Sequence, residues 1–218
     1  MTAPGRARRT VLKKTPVPLL DEAAQDGRVL RGARNHALIV QAIYDLVLAG
    51  SVEPTVEDVA ARAGVGVRTI FRQFNDLETL SRSLSERVLD EVAEISCPTP
   101  PSGRLGEDLP ALIARRARVF EHLLPFRRSG RVMRHRVMFL QEQDAQVTRM
   151  LREGLRVVLL PHFREDCDDL LEALDLLLSF EAWERLRGQQ KLSAVRAEQV
   201  LVTAAQMLAA AAHAHQRT

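Results

Sequence analysis

Apolar positions recur with a helical period along most of the chain. Ile39, Ile43, Leu46 and Val47 fall at i, i+4, i+7 and i+8, one face of an α-helix that begins near Arg34 and ends at Gly50. Residues 1 to about 30 read as a flexible arm, because Pro4, Gly5, Pro16, Pro18 and Gly27 interrupt any period. After Pro54, Thr55 is placed to cap a short helix that ends at Gly64, with Glu57 and Asp58 at the positive end of its dipole. A second short helix is predicted from Val67 to Phe74. Asn75-Asp76 then opens a longer one, Leu77 to Ile95, which stops before the proline-rich loop of residues 98–103.

Four or five helices are predicted beyond that loop. One runs from about Leu109 to Leu124 with Pro110 in its first turn, and another covers Val132 to Leu140. A third, Asp144 to Leu160, carries the stripe Val147, Met150, Leu151, Leu155, Val158 and Leu159. The last two are expected to be long: Asp169 to Arg187, apolar on nearly every side, and an alanine-rich helix from Ala194 to His213 capped by Ser193. The expected class is all-α. Its parts are an arm (1–30), a three-helix N-terminal unit (31–80) and a C-terminal helical bundle (81–218).

Composition agrees with a globular helical protein: 46% hydrophobic, 27% charged and only 4% aromatic over 218 residues. No stretch approaches the roughly 20 apolar residues of a membrane span, and the N-terminus lacks an apolar secretory segment. A soluble cytoplasmic protein without membrane association is expected. Cys97 and Cys167 read as free reduced thiols. The net charge is only +3, but the first 14 residues hold Arg6, Arg8, Arg9, Lys13 and Lys14 and no acid. Such an arm suits nucleic acid, or is simply a solubilising tail.

The segment Thr55 to Phe74 carries the chemistry. Two short helices across a tight glycine turn match a helix-turn-helix, although any two-helix hairpin can mimic the spacing. Val59, Ala63, Val65, Ile70 and Phe74 are suited to a small core, and Gly64 to a left-handed turn position. Arg68, Thr69, Arg72 and Gln73 remain as donors for base edges and phosphates, with Val67 for a thymine methyl.

From Arg34 to Leu80 the chain closely resembles the tetracycline-repressor (TetR) family, above all in the run Thr55 to Phe74 and in Leu77-Glu78-Thr79-Leu80. The resemblance implies DNA contacts from Val67, Arg68, Thr69, Phe71 and Gln73, with Thr55 touching phosphate. It also implies a palindromic double-stranded operator, a homodimer built through the last two helices, and release of DNA by a small-molecule effector. Four features depart from the family's pattern. Gly66 replaces a serine, Phe71 replaces a tyrosine, Leu77 replaces a lysine, and Glu57 and Asp58 bring acid near the DNA backbone. These changes predict fewer phosphate contacts, which a basic arm in the minor groove would offset.

Phe120, Met133, Met138, Phe139, Phe180 and Trp183 are either ordinary core or the lining of an effector pocket, and His135 is suited to orient an anion there. The last two helices are either a dimer interface or the core of a monomeric bundle. The chain shows no Gly-rich phosphate loop, no His-Glu-x-x-His and no Glu-x-x-His, so no enzymatic activity, cofactor or metal is expected. The alternative is a dimeric helical ligand- or protein-binding module with weakened DNA binding.

Overall fold

A computed structural model describes residues 20–73, 77–96, 100–131, 138–163 and 168–215, with the side chains of all but 20–28, 73, 77–78 and 138–139. Every regular element among the described residues is helical: α1 (Leu20–Leu48), α2 (Val56–Ala63), α3 (Val67–Gln73), α4 (Leu77–Ile95), α5 (Leu105–Ser129), α6 (Met138–Leu159), α7 (Asp168–Leu177), α8 (Phe180–Glu184) and α9 (Ala194–His215). One wider π-helical turn, Arg185–Gln189, follows α8 and closes with Gln190 N donating to Arg185 O at 3.0 Å.

The apolar stripes assemble two cores. In the larger, α5 is the central helix, packed by α1, α4, α6, α8 and α9. Phe120 meets Phe180 edge-on at 5.6 Å between ring centroids and Trp183 at 6.3 Å, and Trp183 is fully buried. The smaller core joins Ile39 and Ala42 of α1 to Val59, Ala60 and Ala63 of α2 and Ile70 of α3. Ile43 of α1 packs against both.

Four helices differ in extent from the sequence expectation. The helix expected from Arg34 begins at Leu20, so part of the expected arm is α1. Asp21 and Glu22 favour a helix start there, and a glycine such as Gly27 costs only about 1 kcal/mol inside a helix, too little to end it. α5 runs from Leu105 to Ser129, with Pro125 inside it, rather than from Leu109 to Leu124. The Asp108 carboxylate accepts from the backbone N–H of Ser102 at 2.7 Å and of Gly103 at 3.0 Å, which fixes the turn leading in. Residues 138–140 belong to α6 together with the stripe from 144, while the rest of the Val132–Leu140 helix lies outside the described residues.

The long helix expected over Asp169–Arg187 is broken instead. Ser179 is extended (φ −78°, ψ 161°), and its hydroxyl caps α8 by accepting from Ala182 N at 3.2 Å. The carbonyl of Leu178, freed by the break, accepts from the buried Arg116 guanidinium at 3.0 Å. Beyond it, the Glu121 carboxylate accepts from Trp183 Nε1 at 2.9 Å and takes both Nε (2.7 Å) and Nη2 (3.0 Å) of Arg187, which anchors the π-helical turn to α5.

Candidate nucleic-acid interface

The local geometry of α2 and α3 follows from a few residues. Thr55 Oγ1 accepts from Asp58 N at 3.1 Å and donates to the Asp58 carboxylate at 2.7 Å, and Thr55 N donates to the same carboxylate at 3.2 Å. The bonds from the Thr55 hydroxyl and then its backbone N–H hold the Asp58 carboxyl below its ordinary range. α2 ends at Gly64, left-handed at φ 65°, and Val65 N donates to Ala60 O at 3.1 Å. Gly66 then starts α3, its carbonyl accepting from Thr69 N at 2.8 Å and Ile70 N at 3.4 Å.

Ile70 pins one side of α3 into the small core, which turns Val67, Arg68, Phe71 and Arg72 outward together. Val67 is 37% exposed and Phe71 62%. Thr69 is half-buried, and the Gln73 side chain lies outside the described residues. The exposed face thus carries two guanidinium groups and two apolar side chains. Thr55 is exposed at the start of α2, but both of its donors are engaged by Asp58, leaving none for a phosphate. The arm residues Arg6, Arg8, Arg9, Lys13 and Lys14 lie outside the described residues.

Polar side chains tie this unit to the rest. Arg62 of α2 pairs with Asp45 of α1 at 3.3 Å, and Asp45 accepts from Gln41 at 2.7 Å. Gln41 in turn accepts from Arg87 of α4, whose guanidinium lies 3.9 Å from the centroid of the Tyr44 ring. Tyr44 donates to Glu91, and burial first, then this bond, push the Tyr44 phenol up to about 12. His122 Nε2 of α5 sits 3.1 Å from the same Glu91 without hydrogen-bond alignment. Sequence reasoning missed this chain of contacts; its members are 47 and 46 residues apart.

Two recesses are relevant to the expected pocket. The larger, about 470 Å³ and half-open, lies between the two cores, with walls from α1, the loop before α2, α2, α3, α4, α5 and α6. The smaller, about 60 Å³, is lined by Arg116, Phe120, Asp175 and Phe180 among others. Phe120 and Phe180 therefore face the small hollow and not the large one, and Trp183 lines neither. Met133 and His135, and the side chains of Met138 and Phe139, lie outside the described residues. Burial lowers the Arg116 guanidinium to about 10.

Among the described residues, no group of three or more His, Cys, Asp or Glu stands where it could hold a metal ion. No described helix is long and apolar enough to cross a membrane. Comparison with protein-family models, with curated proteins and with solved structures gave no match to this chain.

Proposed function

We propose that the chain is a sequence-specific DNA-binding transcriptional regulator, a repressor that holds a palindromic operator as a homodimer and leaves it when a small molecule binds. One observation carries the reading: α3 presents Val67, Arg68, Phe71 and Arg72 outward while Ile70 locks its other side to α1 and α2. In this reading α2 and α3 are a helix-turn-helix, and α3 lies in the major groove. Arginine is the side chain best suited to paired acceptors on guanine or to phosphate oxygens. The resemblance to the TetR family over Arg34 to Leu80 supports the same assignment.

Thr55 is spent on its cap and Phe71 lacks a hydroxyl, so phosphate contacts fall to Arg68, Arg72 and the basic arm. A single recognition helix reads too short a site, and two-fold pairing supplies the second. In α9, Ala197, Leu201, Ala205 and Ala209 face inward, while Met207 and Leu208 are exposed amid alanines. With Leu176 of α7, 76% exposed, they form the proposed contact between copies. The protein works in the cytoplasm.

Purified protein is used to select fragments from sheared genomic DNA at two salt concentrations. A short enriched palindrome, with Arg68→Ala weakening binding by about 1–3 kcal/mol, supports the reading. Removal of residues 1–19 is expected to flatten the salt dependence. Without enrichment at either salt, the reading gives way to a helical ligand- or protein-binding module, which the occupied donors of Thr55 favour.

A further inference from the structure

The cavity of about 470 Å³ sits where the two cores meet, and both contribute to its walls. Val59 and Ile70 come from the small core; Val88, Leu123 and Phe126 come from the large one. The recess is half-open and its walls are mostly apolar, so a ligand seated in it would remove that lining from water. Its volume falls within the ~300–1,000 Å³ typical of small-molecule sites.

Among the described wall residues, Arg127 and Asp144 already compensate each other. Arg127 lies 2.8 Å from Asp144 and 3.4 Å from Glu181, and its guanidinium stacks 4.2 Å from the Phe180 ring centroid. Glu53 sits at the exposed rim, where solvent and salt screen it. An anion entering the cavity would lose hydration and meet no unpaired cation among these groups, and a cation would meet the solvent-screened Glu53 at the rim. Ser81, Ser85 and Gln143 offer hydroxyl and amide groups to a ligand's polar end.

We propose that this cavity is a binding site for an uncharged, mostly apolar small molecule with one or two hydrogen-bonding groups, and that its occupancy acts directly on α2 and α3. As an effector site it rests on the regulatory reading; as a ligand site it does not. The sequence expectation placed the effector within residues 81–218 alone. Here Val56 and Val59 of α2 and Ile70 of α3 are themselves wall. A ligand touching them together with Leu123 and Val147 gains its contacts only at one separation of the two cores, so binding biases the attitude of α3 without a relay.

The neutral fluorophore N-phenyl-1-naphthylamine serves as the probe. Ser85→Phe and, separately, Ser81→Phe place a ring into the opening from half-buried serines of α4; Glu153→Phe adds an apolar ring on exposed α6 as the control. The wild type and Glu153→Phe are expected to bind the probe saturably, one per chain. At least one serine variant that keeps its helical circular dichroism is expected to bind it at least tenfold more weakly. The probe is also expected to alter amide exchange in α2 and α3 and leave α9 unchanged. No saturable binding, equal binding by both serine variants, or unaltered exchange in α2 and α3 would overturn the proposal. If genomic selection yields no operator while these results hold, the DNA-binding reading fails and the ligand site stands. With an operator in hand, the probe should release it from the wild type and not from the weakened variant.

Discussion

Gly64 and Gly66 stand two residues apart, and a side chain at each is expected to change stability in opposite directions. An added Cβ meets nothing within 4 Å at either position, so contacts do not enter the comparison. Backbone conformation does. Gly64 has φ 65°, where an L side chain costs roughly 1–2 kcal/mol. Part of that, about 0.4–1 kcal/mol, returns because alanine restricts the unfolded chain. Gly64→Ala should therefore destabilise by about 1 kcal/mol. Gly66 lies outside the left-handed region and starts α3 with its carbonyl. Gly66→Ser gains the same unfolded-state term and a hydroxyl cap worth a few tenths more, a stabilisation of about 0.5–1 kcal/mol. The pair should differ by about 2 kcal/mol, or roughly 4–8 °C in Tm for a chain of this size unfolding as one unit. Urea denaturation followed by circular dichroism, at unchanged m, measures both. Gly64→Asn should fall between Gly64→Ala and the parent, because asparagine tolerates this conformation. If Gly64→Ala matches or exceeds Gly66→Ser in stability, the reasoning from backbone conformation is refuted.

Tyr44 is the single tyrosine, so absorbance near 295 nm reads it alone: ionisation is expected near 12 in the folded protein against the ordinary 10.0. Since the folded value is raised, its stabilising contribution is complete below pH 10 and is lost as pH climbs through 12; titration at the ordinary value would discard the burial of the phenol together with its Glu91 contact. Burial works to raise the Glu121 carboxyl, but hydrogen bonds from Arg187 and Trp183 outweigh it and hold the group low. That contribution is present above the unfolded carboxyl range and lost as pH falls through the depressed value, so denaturation against pH should show Glu121→Gln weaker at neutrality and less acid-sensitive. Leu174 is fully buried, and Leu174→Ala should cost about 2–5 kcal/mol, seen as a lower urea midpoint. Met207→Glu on the exposed side of α9, 68% exposed, should shift a sedimenting dimer toward monomer without unfolding it; an unmoved dimer places the contact elsewhere.

The elements that sequence reading located best are those whose causes lie within a few residues. Thr55 with Asp58 starts α2 and Gly64 ends it, all inside one short segment. Ser193 starts α9 in the same way, its hydroxyl accepting from Arg196 N at 3.2 Å. The outward positions Val67, Arg68, Phe71 and Arg72 of α3 were legible too, because helical period sets which residues lie opposite Ile70, whereas Thr69, read with them, is half-buried. Tertiary structure decided the rest. Beside Leu178 only Ser179 offers a local signal for a break, a single hydroxyl cap inside an apolar run, while the group that satisfies the Leu178 carbonyl is Arg116, 62 residues away. Glu121 meets Trp183 and Arg187 across 62 and 66 residues. Phe120 and Phe180 read as core first and as pocket lining second, because hydrophobic period says that a side is covered and not what covers it. The cavity belongs to no single segment: it exists only where two cores meet, and their separation is set by packing between helices distant in sequence.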